Sequence, residues 1–253
     1  MKKLKLLSLF SLFFTLELSH ASVMQAESND SWYVKILQDS LSPFTTPARN
    51  VFIGGSLITA GFYAHKQRTN YDFLQSEYGE DKPQGTFSQI GDYSGQLIPN
   101  ALYAAGMLTH YWITDDDESY RRSSYMFRAT LYPAIASSIL KFSFEEKRPS
   151  GGKYSFPSGH TTTAFAFATA VACEHAWYWG VPAFGLATFV GMSRMNDNKH
   201  YFHDVLAGAT LGISYALGLH YLERDRKEDK ESGVSIYPFY NYGTQGLAAN
   251  FSW

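Results

Sequence analysis

Six apolar stretches, at about residues 51–65, 93–113, 123–144, 161–175, 178–193 and 203–222, take up most of the chain. Ala, Leu, Phe and Gly fill them, and their apolar residues do not alternate with a period of two, so they argue for helices. The connectors carry the turn-forming residues: Lys82-Pro83-Gln84-Gly85, Asp115-Asp116-Asp117-Glu118, Arg148-Pro149-Ser150-Gly151-Gly152 and Gly180-Val181-Pro182. Residues 22–50 are mixed and polar, with Pro43 and Pro47 as breakers, and are expected to form a loop with a short helix over 32–41. The charged run 223–231 is expected to end the last helix and to be solvated. Segments 234–242 and 246–253 favour strands and flank Gly243-Thr244-Gln245, the pattern of a hairpin. The terminal Asn250-Phe251-Ser252-Trp253 looks like the last strand of an outer-membrane barrel, but so short a segment cannot close one. The expected fold is all-α, a six-helix bundle with a small C-terminal β-hairpin.

Composition narrows the function. Lys+Arg is 21 and Asp+Glu 23, a balance that gives no support to a nucleic-acid partner. Charged residues are 17%, and the ample apolar content rules out a disordered chain. The single cysteine, Cys173, rules out a disulfide scaffold and fits a small buried residue in a helix. Met1-Lys2-Lys3-Leu4-Lys5, an apolar stretch over 6–18 broken by Glu17, and Ser19-His20-Ala21 match a signal peptide over 1–21; an uncleaved anchor is the alternative. Export places the protein in a bacterial periplasm or associated with an envelope membrane. The expected divisions are thus a signal peptide (1–21), an N-terminal extension (22–50), a helical domain (51–231) and the hairpin (232–253). A membrane span needs about 20 apolar residues. The first stretch has fewer before Lys66, the third contains Arg128 and the fourth ends at Glu174. If all six spanned, the connectors after the third and fifth would lie on the cytoplasmic side of an exported chain. A periplasmic helical domain, soluble or surface-associated, is therefore expected.

Three segments concentrate polar residues at helix ends: Lys141 to Arg148-Pro149, Pro157-Ser158-Gly159-His160, and Ser193-Arg194 to His200 and Asp204. Three cations at the ends of apolar helices are unfavourable unless an anion joins them. Pro157-Ser158-Gly159-His160 opens a helix, where Ser158 can cap and free N–H groups add positive potential. Gly159 allows close approach to the backbone. His200 and Asp204, four residues apart, share a helix face, so the carboxylate can fix the tautomer and leave the other nitrogen's lone pair for the cation cluster. The set forms a cradle for a tetrahedral oxyanion with a histidine nucleophile, and His160 is a second titratable group.

These segments resemble the tripartite signature K-x6-RP, PSGH and SR-x5-H-x3-D of the type 2 phosphatidate phosphatase superfamily, which includes bacterial acid phosphatases and vanadium haloperoxidases. Every fixed position is filled. The resemblance implies a helical bundle of the acid phosphatase type and a phosphatase acting on phosphate monoesters, with lipid phosphates and pyrophosphates among the candidates. It implies that Lys141, Arg148, Ser158, Gly159 and Arg194 bind phosphate. His200 would attack phosphorus to form a phosphohistidine, Asp204 would orient it, and His160 would protonate the leaving oxygen. Ser193 would support the pocket. No cofactor and no metal are implied, because the three cations stabilise the transferring group. The expected partners are a phosphate-ester substrate and a membrane surface.

Two other functions fit the sequence: a vanadium haloperoxidase, in which His200 would coordinate vanadate, and a non-catalytic envelope protein acting through the hairpin. The set His200, His203 and Asp204 also admits a metal site, against which Arg194 and Lys199 would act by repulsion. Glu145, Glu146 and Asp197, inside the motif gaps, are expected to be ion-pair partners. His110 is expected to be structural and Asp115 to Asp117 a solvated turn.

Overall fold

The computed structural model describes residues 32–69, 72–231, 234–241 and 244–251, with side chains through residue 227 apart from Phe73. The expected signal peptide, residues 1–21, lies outside the described residues. Nine helices are present among them: α1 (Trp32–Thr45), α2 (Arg49–Thr69), α3 (Phe73–Asp81), α4 (Ser88–Ser94), α5 (Ile98–Thr114), α6 (Asp117–Phe144), α7 (Gly159–Glu174), α8 (Trp177–Asn196) and α9 (Phe202–Glu231). Strand β1 (Val234–Asn241) pairs antiparallel with β2 (Thr244–Phe251), from Val234 opposite Phe251 to Asn241 opposite Thr244.

The six long apolar stretches form α2 and α5 to α9, with one division. The stretch at 93–113 breaks at Gly95-Gln96-Leu97, between α4 and α5, and Pro99 sits in the first turn of α5. Close packing explains the break: a methyl on Gly95 would meet Val190 at 2.6 Å and His160 Cβ at 2.8 Å. The chain can therefore turn against α7 and α8 there, and α4 packs across the end of α8. Helices α3 and α4 are too short for a clear 3.6-residue pattern. Pro43 proves to lie inside α1, near its C-terminal end.

Helix α7 packs against α6, α8 and α9, and α9 also contacts α1 and α2. The core is built of small side chains. Ala104, Ala129, Ala170 and Ala216 surround Tyr125, Met126 and Leu219, and Thr161, Thr162, Thr169 and Ser214 are also buried. Small residues bring the helix backbones together, and their hydroxyls bond carbonyls a turn back, as Ser214 Oγ does to Thr210 O at 2.6 Å. The large apolar side chains point outward: Leu57 and Phe62 on α2, Leu102 and Trp112 on α5, Ile139 and Phe142 on α6, and Trp177 and Trp179 on α8 are exposed. Among the described residues, one segment, Phe202–Lys227 of α9, is long and apolar enough to cross a bilayer by length and composition, with 61% of its most apolar window buried in the bundle.

The charged run that begins at Glu223 forms the end of α9, as expected, and Arg224 and Asp225 are exposed, but Glu223 and Arg226 are engaged with the bundle. Glu223 pairs with Arg121 and Arg128, and Arg226 pairs with Asp39 at 3.1 Å. Arg128 also meets Asp39 at 3.0 Å, which ties α1 to the bundle. Asp116 caps α6 and accepts from Ser119 Oγ at 2.6 Å, so the acidic turn has a defined structural role. His110 Nδ1 is 2.9 Å from the same hydroxyl, in line with a structural histidine.

Candidate active site

The three motifs converge at one end of the bundle, where α6 and α8 finish and α7 and α9 begin. Helix α6 ends on Glu145, whose φ of 44° reverses the chain into the 145–158 segment. Lys141, in its last turn, donates to Tyr154 O at 3.2 Å and to Pro157 O. That contact holds the ammonium beside the N-terminus of α7. A methyl on Gly159 would lie 3.8 Å from Lys141 Cε, so the glycine keeps the helix start open next to it.

Ser158 is the N-cap of α7 and fully buried. Its Oγ accepts from Thr161 N at 3.4 Å and Thr161 Oγ1 at 2.8 Å, and its N–H donates to Asp204 O at 3.0 Å. The cap thus links the second motif to the third. Arg148 is fixed through its backbone, with its N–H on Gly152 O at 2.7 Å. Its Nε is buried with no hydrogen-bond partner, a donor left over in the socket.

Arg194 ends α8, almost wholly buried. It donates from Nε to Ser193 Oγ at 3.2 Å and is paired with Asp92 and, at 3.5 Å, Asp197. Asp92, on α4, also lies 3.3 Å from His160 Nε2. A half-exposed carboxylate therefore bridges the guanidinium and one imidazole, in the place an anionic ligand would contest. Nothing in the sequence around Asp92 marks it for this position.

His200 follows in the 197–201 connector, buried, with its N–H on Arg194 O at 3.3 Å. Its Nδ1 is 3.6 Å from Asp204 Oδ2. That oxygen accepts from Ser155 Oγ at 2.5 Å and Tyr201 N at 2.8 Å, so the carboxylate is held from the first turn of α9. Every expected site residue thus lies at this end of the bundle, with Ser193 beneath Arg194.

The charges act on one another. Burial lowers the proton affinity of His200 against the pull of Asp204, with Lys141 and Arg148 adding to the drop. His160 is pushed down to about 4 by burial and by Arg194, against Asp92. Lys141 is pushed down to about 8 by burial and by Arg148. Both imidazoles are therefore neutral near pH 7, so each has a lone pair available.

Beside the socket, Glu146, His203 and Asp204 bring ligand-type atoms within 4.8 Å of one another. Lys66 Nζ lies 2.5 Å from Glu146 and 3.1 Å above the Tyr201 ring. Its ammonium already supplies the positive charge a metal would bring, so this donor set suits an ion-pair cluster better. Glu146 is the ion-pair partner expected from its place in the motif gap.

An apolar cavity of about 340 Å³ adjoins this end, between α2, α6 and α9. Phe52, Tyr63, Leu140, Phe144 and Phe156 line it, with Glu146 at its polar side. Phe156 immediately precedes Pro157, so the cavity lies next to the second motif without being the cationic socket.

A 78-residue segment is 46% identical to lipid A 1-phosphatase of Porphyromonas gingivalis, covering 29% of this chain and 17% of that protein. Lipid A 1-phosphatase of Rhizobium johnstonii is 30% identical over 138 residues, 48% of this chain and 52% of the relative. The match therefore spans about half the length of one relative and less of the other. A Bacillus subtilis structure, described as the first transmembrane PAP2 type phosphatidylglycerolphosphate phosphatase, matches with a TM-score of 0.55 and 18% identity, over 70% of this chain and 95% of that one. It shares the fold. The family description PAP2 superfamily matches residues 87–228, more than half of the chain and all three motifs, and the chain belongs to that superfamily.

Proposed function

We propose that this protein is a membrane-associated phosphatase that hydrolyses the phosphate monoester of a lipid through a phosphohistidine, without a metal. The convergence of Lys141, Arg148, Arg194 and the α7 N-terminus on a neutral His200 backed by Asp204 carries this reading. Phosphoryl transfer asks chiefly for positioning and for charge stabilisation on the equatorial oxygens. Three cations and the Gly159 N–H supply the charge. His200 Nε2 attacks phosphorus in line, and the ionised Asp204 stabilises the positive charge that develops on the ring. The P–O bond breaks as the P–N bond forms, and His160 gives its proton to the leaving oxygen. His160 then takes a proton from the water that splits the P–N bond, releasing phosphate. A bound dianion raises His160 from its low free value, so that it carries that proton.

The lipid assignment is supported by the exposed apolar belt, by the cavity beside Phe156 and by the names of the relatives. A glycolipid phosphate of the lipid A kind is the substrate those names suggest. Phosphate release from such a lipid in mixed micelles tests the reading. Activity should survive chelation by EDTA, fall with vanadate and be lost in His200→Ala. Full activity in that variant, or loss with EDTA reversed by zinc or magnesium, would refute it.

A further inference from the structure

His203 fills a variable position inside the third motif, between His200 and Asp204, yet it is fully buried with carboxylates on both sides of its ring. Nε2 hydrogen-bonds Glu146 Oε2 at 3.0 Å and lies 3.2 Å from Asp204 Oδ1. Nδ1 lies 3.8 Å from Asp72 Oδ2. These acids come from three places in the chain: the residue capping α3, the segment after α6 and the first turn of α9. Ionised carboxylates only accept, so a neutral imidazole would turn a lone pair toward one of them. The doubly protonated ring suits both sides. Three aromatic rings hold its orientation: Tyr201 and Phe156 stack on it at 5.6 and 6.1 Å, and Tyr63 meets it edge-on at 5.2 Å. The other charged group beside the cluster is Lys66, paired with Glu146.

The needs of Asp204 point the same way. Its Oδ2 is held by Ser155 and Tyr201 and faces His200. Its Oδ1 is buried and accepts no hydrogen bond, with the His203 ring as its charged neighbour. A buried carboxylate with one bare oxygen tends to take up a proton.

We propose that His203 is a positioning residue whose imidazolium, held between Glu146 and Asp72, keeps Asp204 ionised and fixed so that its other oxygen faces His200 Nδ1. The electrostatics agree. Burial works against the charge on His203 but is outweighed by Asp72, Glu146 and Asp204, which raise it to about 9. Asp204 is lowered despite its burial, with His200 and His203 among the causes. The role depends on the phosphatase reading of His200, and it brings the α2–α3 segment into the support of the site through Lys66 and Asp72.

The test compares wild type with His203→Gln and Glu146→Gln in activity and in histidine NMR. In His203→Gln, kcat should fall about 10–100-fold with KM within about 3-fold, and the acid limb of the pH profile should move up by about one unit. Glu146→Gln keeps the size of the side chain and should lower the proton affinity of His203 in the NMR titration. In wild type at pH 7.5, the signal absent from the His203→Gln spectrum should be that of an imidazolium. A folded His203→Gln with wild-type kcat and pH profile would overturn the role, as would a neutral His203 at pH 7.5. If His203→Gln does not fold, NMR of the wild type, assigned from its titration against Glu146→Gln, decides, and a neutral ring at that position overturns the role. The NMR measures protonation without turnover, so it separates failure of this role from failure of His200 as nucleophile.

Discussion

Lys141 is the cation of the socket whose charge depends on pH in the working range. An ammonium pushed down to about 8 is charged below that value and neutral above it. A guanidinium does not titrate in that range, so an arginine at position 141 would keep its charge. The alkaline limb of kcat/KM should therefore lie near pH 8, and Lys141→Arg should move it upward by at least one unit. Parallel pH profiles of the two proteins check this, and an unmoved limb would mean that another group sets it. The acid side has the opposite sign: in the proposed mechanism His200 must be neutral to attack, and its lowered proton affinity keeps it so at mildly acid pH. At this scale the sequence was informative where spacing carries chemistry. Lys141, Arg148, Ser158, Arg194, His200 and Asp204 all stand out from residue type and interval alone. Asp92 and Asp72 do not, because a lone aspartate carries no signal until folding sets it against Arg194 or His203.

The site depends on how closely α7 and α9 approach. Gly208 lies against the first turn of α7, where a methyl would meet the Ser158 carbonyl oxygen at 2.5 Å and Thr162 N at 3.2 Å. Gly212 is one turn further along, against Thr162 and Ala166. Backbone cannot yield as a flexible side chain can, so Gly208→Ala should cost about 1–3 kcal/mol. The same shift would move Ser158, whose N–H holds Asp204 O, so activity should fall with stability. Thermal unfolding and turnover measured on one preparation check both; an unchanged melting temperature would mean that the helices are further apart. The long helices were legible because each carries an apolar pattern over many residues. Helices α3 and α4 were not, being short and set by tertiary contacts such as Gly79 against Asn198. The end of α9 was legible as helix, but not the partners of two of its charges. Glu223 and Arg226 look solvated in sequence, but they are partners for Arg121, Arg128 and Asp39.

At the scale of the molecule, the distribution of side chains is the reverse of that in a typical water-soluble domain. Alanine, serine and threonine fill the interior, while tryptophan, leucine and phenylalanine face outward around the bundle. Helix α1 shows this in miniature: Asp39 and Ser42 face the protein, and Trp32, Tyr33, Leu37 and Leu41 face away. Composition alone could not show this, because the same 45% hydrophobic content serves either arrangement. The expectation of a soluble or surface-associated domain rested on the length of each apolar run and on the side its connectors would face, and neither registers which face of each helix is left outside. The protein should therefore sediment with membranes, remain there through a high-salt wash and be released by detergent. Recovery in the soluble fraction without detergent would contradict the lipid-facing role of the belt.

The covalent step is the centre of the account. Rapid mixing with ³²P-labelled lipid phosphate, quenching in alkali and mapping of the labelled peptide tests it directly, because a phosphohistidine survives base and is lost in acid. The label should appear on His200, build up when His160 is replaced by Ala and vanish in His200→Ala. An active wild-type enzyme whose label sits on any other residue, or which carries none in wild type and in His160→Ala alike, would contradict it.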